Sequence, residues 1–315
     1  MKIVLLESLG ISPEVLEKHA SAMRSLGHEF IAYEKDPSPA VQLERAKDAD
    51  ILMIANTPLS GEVIRGCENL KFINVAFTGV DHVDLEAARE KGIAVSNASG
   101  YSNESVAELT LCMMLSLLRN VSQVEDRCRQ GSTKDGLVGR ELQGKTVGII
   151  GVGAIGKRTA QLCQAFGCKV LGYCRHPKKD PAPGVTYVSL EELLKTSDIV
   201  TLHCPQTPET IGLMNKERIA MMKPGAILIN AARGPIVDSQ ALADALNEGR
   251  LSGAGIDVFE KEPPLDTDHP LLHSRNTLVT PHVAFASEES MIMRADIVFD
   301  NIRAWADGKQ KNIIL

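Results

Sequence analysis

Short apolar runs alternate with longer segments of helical periodicity along the N-terminal third of the chain. The runs place Ile, Val and Leu on successive positions, which is typical of strands buried on both faces. In the segments between them, apolar residues recur every three or four positions, as on one face of a helix. Such alternation predicts a parallel sheet with crossover helices. The predicted strands are residues 2–6, 29–33, 51–54, 72–75 and 93–95.

A long apolar helix separates this series of strands from a second one. Residues 103–118 are apolar on nearly every face, which predicts a helix buried between domains or between subunits. The stretch 119–143 is polar, and a closing helix at 287–307 is expected to return to the first domain. Six further strands complete a second doubly wound sheet. They are predicted at residues 146–150, 169–173, 199–202, 226–230, 253–258 and 277–279.

The composition agrees with an α/β fold of two doubly wound domains. A chain of 315 residues, of which 44% are hydrophobic, can fill two cores. The formal net charge of -6 and the aromatic fraction of 4% argue against a nucleic-acid partner. No apolar run is long enough to span a membrane, and the seven cysteines form no CxxC pair. We therefore expect a cytoplasmic protein with reduced thiols, no metal site and no membrane contact.

A glycine-rich turn follows the first strand of the second series. The sequence Gly-Val-Gly-Ala-Ile-Gly matches GxGxxG and lies between a predicted strand and a predicted helix. Gly151 would permit the tight turn, Gly153 the close approach of a pyrophosphate, and Gly156 the close packing of helix on strand. The N–H groups of Ala154 and Ile155 would meet the phosphates at the positive end of the helix. The pattern predicts a dinucleotide site, with a turn that binds no ligand as the structural alternative.

The acid that usually binds the cofactor ribose at the end of the second strand is missing. Cys174 occupies its position, and Arg175, His176, Lys178 and Lys179 follow directly. A carboxylate there would accept hydrogen bonds from the ribose 2′-hydroxyl and repel a 2′-phosphate, whereas a small neutral residue followed by cations attracts the phosphate. The sequence therefore favours NADP(H). The alternative is an ordinary solvated basic loop with NAD(H) as the cofactor.

Three polar segments lie directly after apolar strands, where open α/β sheets bind their ligands. They are residues 229–234 with Asn-Ala-Ala-Arg-Gly, 255–264 with a Glu-Pro pair, and 279–284 with Pro-His. Together with the glycine turn, this order of motifs resembles the D-isomer-specific 2-hydroxyacid dehydrogenase family, including its glyoxylate and hydroxypyruvate reductases. The resemblance covers essentially the whole chain.

The resemblance implies how the chain is divided and what each part binds. A Rossmann dinucleotide-binding domain is expected at 100–285 and a smaller, flavodoxin-like substrate domain at 1–99. The C-terminal helix, 286–315, is expected to return to the substrate domain. The substrate, a small 2-keto or 2-hydroxy acid, is then expected in the cleft between the domains.

The resemblance also assigns three catalytic roles. It makes Arg233 the substrate-binding cation, Glu262 the partner of the histidine, and His282 the acid/base. The chemistry suits these residue types, because a guanidinium can clamp a carboxylate and polarise the adjacent ketone. Histidine titrates near neutral pH, where the alkoxide formed by hydride transfer needs a proton. The structural alternatives are a helix cap or ion pair for Arg233, an exposed loop acid like Glu260 for Glu262, and a packing histidine for His282.

Further contacts are implied outside this trio. Asp257 resembles the acceptor for the nicotinamide carboxamide, with a helix or turn cap as the alternative. Gly79 and Val80 resemble a backbone cradle for the substrate carboxylate, with a plain turn as the alternative. Asn56 is expected to contact the substrate, and Tyr101 either contacts it or packs at the hinge. The remaining predicted cofactor contacts are Thr78, Cys174, Arg175, His203, Cys204, Pro205, Ala231, His282 and Ala284.

The expected substrate class is glyoxylate or hydroxypyruvate. Phosphoglycerate-oxidising relatives carry an arginine in the segment that corresponds to residues 54–58, and none of these is arginine here. Phosphoglycerate is therefore disfavoured, although it stays the enzymatic alternative. A non-catalytic, cofactor-sensing interaction protein on the same fold is the alternative from another class. The apolar helix 103–118 resembles the element through which family members dimerise, which predicts a homodimer.

Overall fold

The computed structural model describes residues 1–176, 181–262 and 265–315. The chain divides into two units. Unit 1 comprises Met1–Ser102 with Ala286–Leu315, and unit 2 comprises Asn103–Phe285. Each unit has its own parallel sheet, so the predicted α/β fold with two doubly wound sheets is confirmed.

Unit 1 is built on a five-stranded sheet. Its strands are β1 (Lys2–Leu5), β2 (Glu29–Ala32), β3 (Ile51–Ile54), β4 (Phe72–Val75) and β5 (Ala94–Asn97). Its first helices are α1 (Pro13–Ser25), α2 (Pro39–Ala46), α3 (Gly61–Gly66) and α4 (Leu85–Glu90). The strand order β2-β1-β3-β4-β5 is the flavodoxin-like order. Every residue of β3 and β4 is buried, which explains the uninterrupted apolar sequence of β3. In β4 the one polar residue is Asn74, whose side-chain amide donates to the Val298 carbonyl at 2.7 Å.

Unit 2 is built on a seven-stranded parallel sheet. Its strands are β6 (Thr146–Ile150), β7 (Lys169–Tyr173), β8 (Val185–Tyr187), β9 (Ile199–Leu202), β10 (Ile227–Asn230), β11 (Gly253–Ile256) and β12 (Thr277–Val279). Its helices are α5 (Asn103–Leu118), α6 (Val121–Arg129), α7 (Ala154–Ala165), α8 (Leu190–Thr196), α9 (Lys216–Met221) and α10 (Ser239–Asn247), with single 3₁₀ turns at Gly234–Ile236 and Pro270–Leu272. The order β12-β11-β10-β9-β6-β7-β8 reverses direction at β6, as in dinucleotide-binding folds.

The apolar helix α5 packs on the sheet of unit 2 with part of its surface, while Cys112 is exposed. Its residues Met113 and Leu118 join a core cluster with Ile149 and Ile229 from the sheet. Packing inside this unit accounts for these apolar residues of α5, and burial of the helix between domains or between subunits stays a prediction. Sequence reasoning also missed α6, which contains no buried residue and therefore shows no apolar stripe.

The closing helix α11 (Glu288–Ala306) belongs to unit 1. It begins with a capping box in which the side chains of Ser287 and Ser290 each bond the other's backbone N–H. Its Phe299 ring stacks on His19 at 4.5 Å, and its Trp305 ring stacks on Phe72 at 4.9 Å. Such aromatic stacking fixes the helix against the elements of this unit.

The described residues contain neither a membrane-spanning helix nor a cluster of metal-ligating side chains. None of the helices among them is both long and apolar enough to cross a membrane. No group of three or more His, Cys, Asp or Glu side chains in that part of the chain could hold a metal ion.

Candidate active site

The glycine turn between β6 and α7 is shaped by close backbone contacts. Gly151 has a φ of 97°, and a Cβ there would lie 2.6 Å from the backbone N of Cys204. A Cβ on Gly156 would lie 2.2 Å from the carbonyl oxygen of Gly151. Both positions therefore exclude any larger residue. Gly153 is different, because no atom lies within 4 Å of a Cβ built on it.

The N-terminus of α7 fits an anionic group. Gly153 is its N-cap residue, and no side chain caps the helix there. The first N–H groups of a helix, here beginning at Ala154 and Ile155, have no partner within the helix and carry its positive partial charge. Open space at Gly153 and an uncapped, positive helix end are what a cofactor diphosphate requires. The residues present thus fit the dinucleotide that the sequence pattern predicts.

The end of β7 carries no acid, as the sequence indicated. The Cys174 thiol accepts a hydrogen bond from the backbone N–H of Val152 at 3.3 Å, which ties this strand end to the glycine turn. Arg175 is exposed, and its Nη1 lies 3.5 Å from Oε2 of Glu209. Sequence reasoning missed Glu209 altogether. Lys178 and Lys179, two of the cations in the NADP(H) argument, lie outside the described residues.

The loop after β9 lies against the same turn. His203, Cys204 and Pro205 follow the strand directly, and His203 Nε2 lies 3.1 Å from Oγ1 of Thr201. Burial lowers the pKa of His203 to about 4 and raises the pKa of the Cys204 thiol to about 11. At neutral pH the loop therefore presents a neutral imidazole and a protonated thiol to its surroundings. Such a lining suits the apolar and neutral parts of a dinucleotide.

The structure brings His282 and Glu262 together. Nδ1 of His282 lies 2.5 Å from Oε2 of Glu262, while the other carboxylate oxygen accepts the backbone N–H of Phe259 at 2.6 Å. Both side chains are mostly buried, with 20% and 25% exposure. A carboxylate at Nδ1 fixes the imidazole tautomer and stabilises the imidazolium. A histidine held in this way is suited to acid/base chemistry, and the acid/base role of His282 stays a prediction.

Glu260, the rival acid in the same loop, has different partners. Its carboxylate accepts the hydroxyl of Ser239 at 2.6 Å and lies 2.9 Å from Nε2 of His269. Burial raises the pKa of Glu260, but these hydrogen bonds outweigh it, so the pKa of this carboxyl is lowered overall. Glu260 thus anchors the loop, and the contact with His282 belongs to Glu262.

Asp257 holds the loop that carries His282. Its fully buried carboxylate accepts the hydroxyl of Thr280 at 2.5 Å and the backbone N–H groups of Val283 and Ala284 at 2.8 and 2.9 Å. The Asp257 carbonyl also accepts the N–H of His282 at 2.7 Å. These bonds hold His282 at a φ of 53°, a left-handed conformation that non-glycine residues seldom adopt. Contact of Asp257 with the nicotinamide carboxamide stays a prediction.

Arg233 follows β10 at the same edge of the sheet. The half-buried residue has extended backbone, and its carbonyl accepts the side-chain amide of Asn230 at 2.9 Å. Gly234 must be glycine, because a Cβ there would lie 2.0 Å from the carbonyl carbon of Phe259. Since β10, β11 and β12 are adjacent and parallel, the loops bearing Arg233, Glu262 and His282 all leave the carboxyl edge of one sheet. Ala231 lies in the first of these loops.

The predicted substrate residues of unit 1 lie on loops at the carboxyl ends of its strands. Thr78, Gly79 and Val80 follow β4, and the Thr78 carbonyl accepts the side-chain amide of Asn97 at 2.7 Å. Asn56 follows β3, and Nζ of Lys35 donates to its Oδ1 at 3.3 Å. Lys35 is a cation that sequence reasoning did not place there.

Two buried groups of unit 1 were also missed. The Glu7 carboxylate fixes the Asn56 loop, because it accepts the N–H groups of Ala55 and Thr57 at 2.7 and 2.9 Å. The Arg294 guanidinium lies over the ring of Tyr101, 5.7 Å from its centroid. Tyr101 is itself buried, so its contact with a substrate stays a prediction. Neither Glu7 nor Arg294 belongs to a motif or a periodic pattern that could have marked it.

These features define a class of protein. A Rossmann sheet with an anion-binding glycine turn, and a His–Glu pair beside an arginine on the same sheet edge, are the parts of a nicotinamide-dependent oxidoreductase.

Comparisons with known proteins agree with this class. Residues 111–284 match the model of the D-isomer specific 2-hydroxyacid dehydrogenase, NAD binding domain. The hydroxypyruvate reductase of Blautia hydrogenotrophica is 38% identical over 328 residues, covering 100% of this chain and 99% of the relative. The D-3-phosphoglycerate dehydrogenase of Methanocaldococcus jannaschii is 43% identical over 272 residues, 85% of this chain but 52% of the relative. The crystal structure of D-lactate dehydrogenase from Aquifex aeolicus, complexed with NAD and lactic acid, has a TM-score of 0.86 at 34% identity, covering 98% of this chain and 96% of that one.

The chain belongs to the D-isomer-specific 2-hydroxyacid dehydrogenase family. It is an NAD(P)-dependent dehydrogenase that acts on the CH–OH group of 2-hydroxy acids, and the family and reaction class predicted from sequence are confirmed.

Proposed function

We propose that this enzyme reduces glyoxylate or hydroxypyruvate to the corresponding D-2-hydroxy acid, with NADPH as the favoured cofactor and NADH as the alternative. The observation that carries the proposal is the 2.5 Å contact of His282 with Glu262 on the sheet edge that also bears Arg233. The full-length similarity to a hydroxypyruvate reductase supports the substrate class. The lack of an acid at Cys174, with the exposed Arg175 beside it, supports the cofactor choice.

Each catalytic side chain has a distinct task in this proposal. The Arg233 guanidinium binds the substrate carboxylate and donates to the ketone oxygen, which draws electron density away from the ketone carbon. A bound nicotinamide cofactor supplies the hydride. His282 gives its Nε2 proton to the oxygen as negative charge develops there, and Glu262 stabilises the imidazolium before that transfer. Asp257 keeps the His282 loop in place.

In this proposal the cofactor and the substrate are bound by different groups of residues. The glycine turn at Gly151, Gly153 and Gly156 holds the diphosphate, and its neighbours from the ends of β7 and β9 line the site. We assign the backbone N–H groups of Gly79 and Val80 to the substrate carboxylate. The side chains of Asn56 and Tyr101 contact the remainder of the substrate.

Phosphoglycerate oxidation is the second candidate, and one observation favours it. Nζ of Lys35, which follows β2, reaches Asn56, so a cation contacts the loop that lacks an arginine. A lysine offers a phosphate a single point charge and no bidentate fork, so we keep the unphosphorylated keto acids first.

A panel assay tests the proposal. Loss of reduced-nicotinamide absorbance is followed with glyoxylate, hydroxypyruvate, pyruvate and phosphohydroxypyruvate, each with NADPH and with NADH. We expect the largest kcat/KM for hydroxypyruvate or glyoxylate with NADPH. A larger value for phosphohydroxypyruvate would move the second candidate into first place, and a tenfold or greater preference for NADH would contradict the cofactor proposal.

We also propose that the enzyme is a cytoplasmic homodimer. All seven cysteines are free thiols, which supports a reducing compartment. The apolar helix α5 supports the homodimer, because it is similar to the element through which family members dimerise and Cys112 on it is exposed. Light scattering after size exclusion measures the assembly, and a monomer at assay concentrations would contradict it.

A further inference from the structure

An acid on the loop after β9 lies close to the residue that follows β7. Glu209 lies in the loop after β9, and its Oε2 is 3.5 Å from Nη1 of Arg175. Both side chains are exposed, at 61% and 46%. The strand end that lacks its own acid therefore has a carboxylate beside it, supplied from elsewhere in the sequence.

The position of this pair is the ribose end of a dinucleotide site. In Rossmann sheets the residue that ends the second strand lies beside the ribose 2′ position. Cys174 has that place here, and its thiol bonds the Val152 N–H of the glycine turn. Arg175 is the next residue. A 2′-phosphate bound there would meet the Arg175 guanidinium and the Glu209 carboxylate together.

The loop that carries Glu209 is internally braced. The Thr210 hydroxyl donates to the Pro205 carbonyl at 2.7 Å and accepts the Thr207 N–H at 2.7 Å. Hydrogen bonding to Thr207, aided by Arg175, lowers the pKa of Glu209, so its charge is present at neutral pH. Glu209 thus projects from a braced loop as a fixed negative charge.

We propose that Glu209 is a cofactor-specificity residue: its carboxylate engages Arg175 and repels the 2′-phosphate of NADP(H), so the pair sets the choice between the two cofactors. The inference rests on the proposed binding of a nicotinamide cofactor at this turn. To bind Arg175, a 2′-phosphate must displace the Glu209 carboxylate and then remain close to that negative charge, which weakens its binding. A ribose 2′-hydroxyl is neutral and meets no such repulsion. Glu209 therefore keeps the preference for NADP(H) smaller than Arg175 alone would make it.

Binding of NADP⁺ and NAD⁺, measured by calorimetry, tests this without turnover. Glu209→Gln keeps the shape of the side chain and removes its charge. We expect the Kd of NADP⁺ to fall about three- to fivefold, as for an exposed charge pair, with the Kd of NAD⁺ unchanged. Arg175→Ala should raise the Kd of NADP⁺ about tenfold and leave NAD⁺ unchanged. Added salt should reduce the gain in NADP⁺ affinity that Glu209→Gln produces, because salt screens the interaction between exposed charges.

Glu191→Gln is the matched control, since Glu191 is an exposed acid paired with Lys195 on α8. It removes the same charge at another surface position and should change neither Kd. Equal changes for both cofactors in Glu209→Gln, or none, would overturn the inference. A failure of the proposed function would look different, because turnover would be absent with every 2-keto acid whatever the Kd values.

Discussion

The two loops that matter most for this enzyme, one bearing His282 and one bearing Arg175, are held in very different ways. The His282 loop is fixed by a fully buried carboxylate, Asp257, which accepts three hydrogen bonds from it. Arg175 stands in solvent and has an acid at 3.5 Å. Buried, fully bonded groups tolerate little change, whereas exposed pairs contribute at most about 1 kcal/mol. The proposed acid/base chemistry thus lies on the rigid loop, and the proposed cofactor choice lies on the adjustable one.

The largest effect is expected from Arg233→Lys. A lysine keeps the charge but loses the fork that holds the carboxylate and the ketone oxygen together. We expect kcat/KM for the preferred keto acid to fall about 10³-fold, with cofactor binding retained. Steady-state kinetics checks this, and Arg140→Lys, a change at an exposed arginine of the same unit, is the control. A fall in kcat/KM of less than tenfold would contradict the assignment of Arg233 to substrate binding.

Glu262→Gln should have the next largest effect. The amide can still bond the Phe259 N–H but no longer offers a charge to the imidazolium, so we expect kcat to fall about 10²-fold. Glu260→Gln removes a charge from the same loop, where its partners are Ser239 and His269, and should leave kcat within about twofold of the wild type. A similar loss of kcat in both variants, or in neither, would contradict the pairing.

Asp257→Asn tests whether a residue outside the reaction sets its rate. An amide offers one acceptor where the carboxylate offers two, so the His282 loop should loosen and kcat should fall about tenfold. Cofactor Kd separates the two roles considered for Asp257. An unchanged Kd indicates positioning of His282 alone, and a weakened Kd indicates contact with the carboxamide.

The pH dependence of the free energy of unfolding is expected to have opposite signs for Asp257 and Glu260. Burial raises the pKa of Asp257 above its ordinary value of 3.8, so its contribution is fully present below that value and is lost as pH rises through the folded pKa. The lowered pKa of Glu260 has the opposite sign: its contribution is present above 4.5 and is lost as pH falls through the folded pKa. Chemical unfolding of the wild type, Asp257→Asn and Glu260→Gln across acidic pH should therefore show difference slopes of opposite sign. Slopes of equal sign would contradict this assignment.

The smallest effect belongs to the exposed pair, where Glu209→Gln is expected to change the NADP⁺ Kd about three- to fivefold. A change in this Kd of about 10³-fold, as large as the loss of kcat/KM expected for Arg233→Lys, would contradict the distinction between the rigid His282 loop and the adjustable Arg175 loop.

The sequence predicted the elements of the fold where burial leaves a clear pattern. Helix α5 and strands β3, β4, β6, β7, β9 and β12 have the predicted bounds. These segments are apolar runs with polar or glycine-rich flanks, and such runs are the strongest sequence signal. Strand β8 (Val185–Tyr187) was missed because it directly follows the Pro-Ala-Pro-Gly stretch 181–184 and its central Thr186 is exposed, so no apolar run marks it.

The candidate site was predictable to the extent that it lies in motifs. Arg233, Glu262 and His282 could be named because each follows an apolar strand in a family order. Glu209 could not, because it lies far from Arg175 in sequence and exposed side chains leave no periodic trace. The bonds from Asp257 to the His282 loop likewise depend on the adjacency of β11 and β12, which only the folded sheet shows.

His282→Ala tests the acid/base role of His282. Reduction of hydroxypyruvate and glyoxylate is measured for the wild type and the variant, beside a fluorescence titration of NADPH into each. We expect turnover to fall at least about 10³-fold while the NADPH Kd stays within about twofold of the wild type. Turnover within tenfold of the wild type, with cofactor binding intact, would contradict His282 as the proton donor.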